Sequence, residues 1–157
     1  MAAVPAESVW REVASIGGEN GYYFLDALWN VRGRVDELAG GVGLRRGRRD
    51  PHEIEVGDTI DFWRVVAVEP GRRLTLLAEM KLPGAAALDL EVRPEAKGHT
   101  RIVVTAYFHP AGARGLLYWH ALAPAHAVIF SGLAKAIAER AERSAAAGRQ
   151  ASPLAQP

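Results

Sequence analysis

The sequence predicts an α+β domain in which a curved antiparallel sheet of about six or seven strands wraps around one long C-terminal helix. Three observations predict this class. Apolar and polar residues alternate through the middle of the chain, which is typical of strands with one buried face. Pro-Gly or Lys-Gly pairs separate the alternating stretches, as in hairpins. The final stretch repeats its apolar residues every three or four positions, as an amphipathic helix does.

Composition agrees with one globular domain of 157 residues. The 19 Lys and Arg nearly balance the 18 Asp and Glu, which argues against a nucleic-acid partner held by bulk charge. Cys is absent, so disulfides and cysteine chemistry are excluded. The uncharged stretch between Arg114 and Lys135 is long enough to span a membrane. Because it contains two histidines, a core helix is favoured, and we expect no membrane span and a cytoplasmic location.

The first elements are expected to be a strand and two short helices. Residues 8–16 are rich in Val and other strand formers, which predicts a strand. Apolar residues at helical spacing predict a helix over residues 22–38. Gly33 lies in the middle of that helix, so we expect two short helices instead of one. Glycines at positions 40, 41 and 43 end the segment.

Strict alternation predicts the strands of the sheet. These stretches cover residues 59–69, 73–82, 88–93 and 101–108. The pairs Pro70-Gly71, Pro83-Gly84 and Lys97-Gly98 supply the connecting turns. The C-terminal helix is predicted over residues 115–143, with a kink at Pro124. Small and polar residues over 144–157 predict a disordered tail, which leaves one domain over residues 1–143.

The single apolar face of the sheet must be covered, and the helix carries the matching stripe. Small side chains leave space between the two layers, at Ala78, Ala106, Ala123 and Ala127. An enclosed apolar pocket is the usual form of a small-molecule site. The residues predicted to bind a ligand there are Phe62, Arg64, Met80, Leu90, Val104, Phe108, Tyr118, Trp119, Leu122, His126 and Phe130.

Four strings carry a family resemblance: LWNVRGRVDELAGGVGLRRGRRDP at 28–51, GDTIDFWRV at 57–65, AEMKLPG at 78–84 and YWHALAPAHAVIF at 118–130. The order of elements resembles the helix-grip (START-like and birch-pollen-allergen-like, SRPBCC) superfamily. The strings are similar to a bacterial family of uncharacterised function, found alone or fused behind NmrA-like Rossmann domains. The resemblance implies a helix-grip fold but no known reaction. Because the chain has no G-x-G-x-x-G fingerprint, nucleotide binding is not transferred.

Two residues are the strongest candidates for orienting a ligand. His126 lies on the apolar stripe, where it acts either as a polar group inside the pocket or as a core histidine with a backbone or Tyr partner. Arg64 shares strand parity with Ile60 and Phe62, so it either anchors a ligand anion or is turned outward by a bulge. A bulge would also be needed for it to pair with Glu79.

Other chemistry finds less support. Glu79 is a candidate catalytic carboxylate, but an outward position on the polar face is favoured. The arginine run over 45–49 is followed by acidic residues, which favours a solvated edge over an anion site. The five histidines show no ligand spacing, so we expect no metal, and no motif indicates a cofactor.

Three functions follow from these observations. The first is binding of a small hydrophobic or aromatic molecule between the sheet and the C-terminal helix. The second is a cyclase, dehydratase or isomerase that uses His126 or Glu79 for proton transfer. The third is an accessory module that docks on a Rossmann-type NAD(P)-dependent oxidoreductase, which only the fusions of similar proteins suggest. Self-association as a homodimer stays open.

Overall fold

The computed structural model describes residues 1–17, 49–50 and 53–150, together with positions 21, 34, 37, 38 and 40. Within those residues, a short helix comes first, five strands follow, and a long helix ends the chain. The elements are α1 (Ala6–Ala14), β1 (Thr59–Ile60), β2 (Trp63–Glu69), β3 (Arg73–Ala78), β4 (Gly84–Pro94), β5 (Thr100–Pro110) and α2 (Gly112–Gln150).

The strands form one antiparallel sheet in the order β1-β2-β3-β4-β5, so each strand pairs with its neighbour along the chain. The predicted turns connect them: Gly71 lies between β2 and β3 with a φ of 78°. Between β4 and β5, Lys97 and Gly98 both adopt positive φ angles, of 59° and 73°. The α+β class, with an antiparallel sheet and a long C-terminal helix, is confirmed.

The strand predicted over residues 8–16 is wrong, because this part of the chain forms helix α1. Val9 and Val13 are fully buried, and their separation of four residues places them on one helical face. Burial of that face outweighs the strand preference of Val. The two helices predicted over 22–38 and most of the arginine run over 45–49 lie outside the described residues.

A turn divides the strand predicted over residues 59–69. Asp61 has a φ of 55°, and Ile60 pairs directly with Trp63 across the turn. This break shifts the alternation by one residue. Trp63 and Val65 are therefore buried, whereas Val66 is 41% exposed. The prediction that Arg64 shares the buried face is wrong for the same reason.

The C-terminal helix α2 is longer than predicted and runs without interruption through Pro124. The expected tail begins inside it: residues 144–150 are helical, and residues 151–157 lie outside the described residues. Contacts with α1 explain the extension. Glu12 of α1 accepts hydrogen bonds from Arg140 Nε at 2.7 Å and from Ser144 Oγ at 2.8 Å.

The two halves of α2 have different surroundings. In the second half, Leu133 and Ile137 are almost fully buried in the core with α1 and the sheet. Among the described residues, α2 is the one helix long and apolar enough to cross a membrane, although core helices meet the same criterion. At its start, Gly115 lies so close to the sheet that a Cβ there would collide with the carbonyl oxygen of Pro83.

Candidate functional site

A cavity of about 300 Å³ lies between the sheet and the first half of α2. Its volume is at the lower end of the range for small-molecule sites. The sheet side is formed by Trp63, Ala78, Met80, Leu82, Ala86, Ala87, Ala106, Tyr107 and Phe108. The helix side is formed by Tyr118, Trp119, Leu122, Ala125, His126, Ile129 and Phe130.

The sequence explains why this space exists. On the sheet side, Ala78, Ala86 and Ala106 carry only a methyl group where larger core residues would fill the gap. On the helix side, the lining residues recur at separations of three and four, so one face of α2 looks onto the cavity. Large side chains stand around the small ones, and together they leave a cavity that is open to solvent beside the exposed residues Tyr107 and Ala125.

Aromatic rings form a continuous row along the cavity. Phe108 of β5 stacks on Trp119 of α2, with ring centroids 5.3 Å apart and planes 7° from parallel. Trp119 lies 5.4 Å from the ring of His126, which lies 5.5 Å from Phe130. Such pairs stabilise packing by about 0.5–1.5 kcal/mol each beyond their burial. The row is therefore a preformed aromatic wall of the cavity.

His126 is the one titratable imidazole in this row. Its Nδ1 atom is buried and has no hydrogen-bond partner among the described residues. Burial also lowers the pKa of His126 below its ordinary value, because the charged form loses its hydration. His126 is therefore a neutral imidazole at neutral pH.

Trp63 contributes a second unpartnered polar atom. Its ring lines the cavity, and its indole Nε1 is buried with no partner in the described part of the chain. An indole nitrogen can only donate a hydrogen bond. Trp63 was not predicted from the sequence, because the turn at Asp61 reverses the alternation of buried and exposed residues that a continuous strand would have.

The structure brings most of the predicted ligand-binding residues together. Those that line the cavity are Met80, Phe108, Tyr118, Trp119, Leu122, His126 and Phe130. Phe62 and Leu90 are instead buried in the main core, and Val104 packs against that core. Regular alternation correctly assigned Leu90 and Val104 to the apolar face of the sheet. The cavity, however, occupies only one end of that face.

Arg64 and Glu79 form an ion pair away from the cavity. Arg64 Nε lies 2.5 Å from Glu79 Oε1, and Arg64 Nη1 donates to the carbonyl oxygen of Gly57 at 3.1 Å. Neither residue lines the cavity. The pairing that was expected to require an irregular strand is therefore present, made possible by the turn at Asp61. Glu79 and His126, the two catalytic candidates, do not meet in one site.

The remaining polar candidates stand apart from the cavity. Within the described ranges, no three His, Asp or Glu side chains are arranged to hold a metal ion. His120 is exposed on α2. Of the arginine run, Arg49 is described, and its Nε donates to Asp58 Oδ1 at 3.1 Å. A local acidic partner therefore neutralises this arginine.

Fold and site together define an α+β protein with a cavity of small-molecule size between an antiparallel sheet and its C-terminal helix. The chain belongs to the DUF2867 family, described as proteins of unknown function, whose model matches residues 1–133. That match includes every described residue that lines the cavity. The family match and the arrangement of sheet and helix are compatible with a helix-grip fold. No curated protein matches the sequence.

Proposed function

We propose that this protein binds a small hydrophobic or aromatic molecule in the cavity between the sheet and α2. One observation carries the proposal: the cavity of about 300 Å³ combines alanines, which leave space, with a row of aromatic rings around it. The described lining is almost wholly apolar, so the cavity leaves apolar surface in contact with water, which is unfavourable. A bound apolar molecule would restore the missing contacts and leave water at the same time.

The test fills the cavity from the protein side. N-phenyl-1-naphthylamine, an uncharged probe that fluoresces more strongly in apolar surroundings, is titrated into the wild type and into Ala106→Leu. Ala106 lines the cavity, so the larger side chain occupies the space and should weaken binding about tenfold or more. The matched control is Ala85→Leu, on an exposed position of β4 outside the cavity, which should bind like the wild type.

Two results would contradict the proposal. One is the absence of saturable binding to the folded wild type. The other is equal binding by the wild type and Ala106→Leu, which would place the probe elsewhere on the surface. Circular dichroism shows whether each variant is folded before its titration is interpreted.

Catalysis on the same fold is the second candidate, because a buried titratable group with a shifted pKa in a cleft is a frequent mark of an active site. His126 is that group. Binding is favoured over catalysis because, among the described residues, no carboxylate lines the cavity beside His126 to act as the opposite acid or base. A cytoplasmic location and docking on a Rossmann-type oxidoreductase stay predictions from the sequence.

A further inference from the structure

The described walls of the cavity carry no formal charge. Among the described residues, none that lines the cavity is Asp, Glu, Lys or Arg. Glu79 and Lys81 each lie between two lining residues along the chain, but Glu79 is paired with Arg64 and Lys81 is exposed. An ionic ligand would therefore bring an unpaired charge into an apolar space, which is costly. The cavity selects uncharged molecules.

The position of the proton on His126 follows from its two nitrogens. Nδ1 is buried and has no hydrogen-bond partner in the described part of the chain, whereas Nε2 is not among the buried unpartnered atoms. A proton on Nδ1 would leave a buried N–H group without an acceptor, which native structures rarely tolerate. A proton on Nε2 leaves only a lone pair buried. The neutral ring therefore carries its hydrogen on Nε2.

Nε2 is also the nitrogen that a ligand can reach, because it is not among the buried unpartnered atoms. His126 stands within the aromatic row, with Trp119 on one side and Phe130 on the other. The hydrogen-bond donor is thus placed beside aromatic rings that form an apolar wall. A ligand that uses both features has a ring system and an oxygen atom attached to it.

Resting on the proposed function, we infer that the ligand is an uncharged, flat ring compound with a carbonyl oxygen that accepts a hydrogen bond from Nε2–H of His126. The ring system lies against Phe108, Trp119 and Phe130. The carbonyl group gives Nε2–H of His126 an acceptor, while the lone pair on the buried Nδ1 keeps no partner among the described residues. Carboxylates of the same shape are excluded.

Three probes of nearly equal shape test this inference. 2-Acetylnaphthalene has the ring system and the carbonyl group, 2-isopropylnaphthalene replaces that group with a hydrocarbon branch, and 2-naphthoate adds a negative charge. Each is titrated in competition with N-phenyl-1-naphthylamine against the wild type and His126→Phe. This variant keeps an aromatic ring and removes the donor. The ratio between variants is compared for each probe, so the different hydrophobicities of the probes cancel.

The wild type should bind both neutral probes, and its affinity for 2-naphthoate should be at least tenfold lower. His126→Phe should weaken the acetyl compound about fivefold to tenfold, the effect of one hydrogen bond. It should change the isopropyl compound less than about twofold, because no polar contact is lost. Equal changes for the two neutral probes, or equal binding of ketone and naphthoate by the wild type, overturn the inference while the proposed function stands. If no neutral probe binds the folded wild type, the proposed function itself fails.

A second variant separates hydrogen bonding from ring packing. In His126→Gln, the side-chain amide can place an N–H group near the position of Nε2 but supplies no ring. If His126 acts as a donor, this variant should retain a ketone preference greater than that of His126→Phe. If the ring of His126 only fills space, His126→Phe should bind the ketone like the wild type and His126→Gln should bind it more weakly. That result overturns the inference. His120→Phe, on an exposed position of the same helix, should bind all probes as the wild type does.

Discussion

Replacing His126 with Phe should stabilise the ligand-free protein while weakening its binding of a carbonyl compound. The reason is the buried Nδ1 atom, which has no partner among the described residues. A buried polar group left without a hydrogen bond costs about 1–3 kcal/mol. Phe has a ring of similar size, and the aromatic neighbours at 5.4 and 5.5 Å can pack against it equally well. The free energy of unfolding should therefore rise by about 1 kcal/mol or more.

Urea denaturation at neutral pH, followed by circular dichroism, measures this change as a shift of the unfolding midpoint at constant slope. The matched control is His120→Phe, since His120 is exposed on the same helix and should change stability by less than about 0.5 kcal/mol. If His126→Phe is less stable than the wild type, or no more stable than the control, the unpartnered Nδ1 atom does not lower the free energy of unfolding. The placement of the His126 proton on Nε2, which follows from the buried and unpartnered Nδ1, would then lose its physical basis.

Further predictions concern pH and packing. Burial lowers the pKa of His126 in the folded protein. As pH falls below the ordinary value of about 6.5, the unfolded chain therefore binds the proton more readily than the folded protein, and the free energy of unfolding decreases. Urea midpoints between about pH 7.5 and 5 should therefore fall less steeply in His126→Phe than in the wild type, and equal slopes would contradict this. Gly115→Ala should lower the free energy of unfolding by about 1–3 kcal/mol, because a Cβ at this position has no room. Gly148→Ala, where a Cβ meets nothing, should raise it by about 0.5–1 kcal/mol. Melting temperatures that shift in the same direction in both variants would refute the close approach at Gly115. Leu133→Ala should lower the free energy of unfolding by about 2–5 kcal/mol, because Leu133 is buried. Leu117 is 73% exposed, so Leu117→Ala should lower it far less, and equal losses in the two variants would contradict this location of the core.

The sheet and the last helix were predictable because their periodicities are unambiguous. In β3 to β5, alternation of apolar and polar residues holds for many positions, and Pro or Gly marks each turn. Helix α1 was not recognised, although Val9, Val13 and Ile16 have helical spacing, because Val also favours strands. In so short a segment, the choice depends on which face the rest of the chain buries.

The position of Arg64 could not be read from the sequence for a different reason. The turn before it places Asp61 at a positive φ without Gly or Pro, so nothing in the local composition marks the break. One unmarked turn was enough to exchange Arg64 and Trp63 between the two faces. The cavity was only partly predictable: Ala78 and Ala106 line it as expected, while packing decides that Ala125 does so instead of its neighbours on α2.

The most direct test of the cavity as a binding site uses the two methionines of the chain. Met80 lines the cavity, whereas Met1 is 71% exposed. Methyl-labelled methionine gives one NMR signal for each, so titration with N-phenyl-1-naphthylamine reports on the inside and the outside at once. The probe is expected to shift the Met80 signal with saturation and to leave the Met1 signal in place. Saturable probe binding with no change at Met80 would contradict the account.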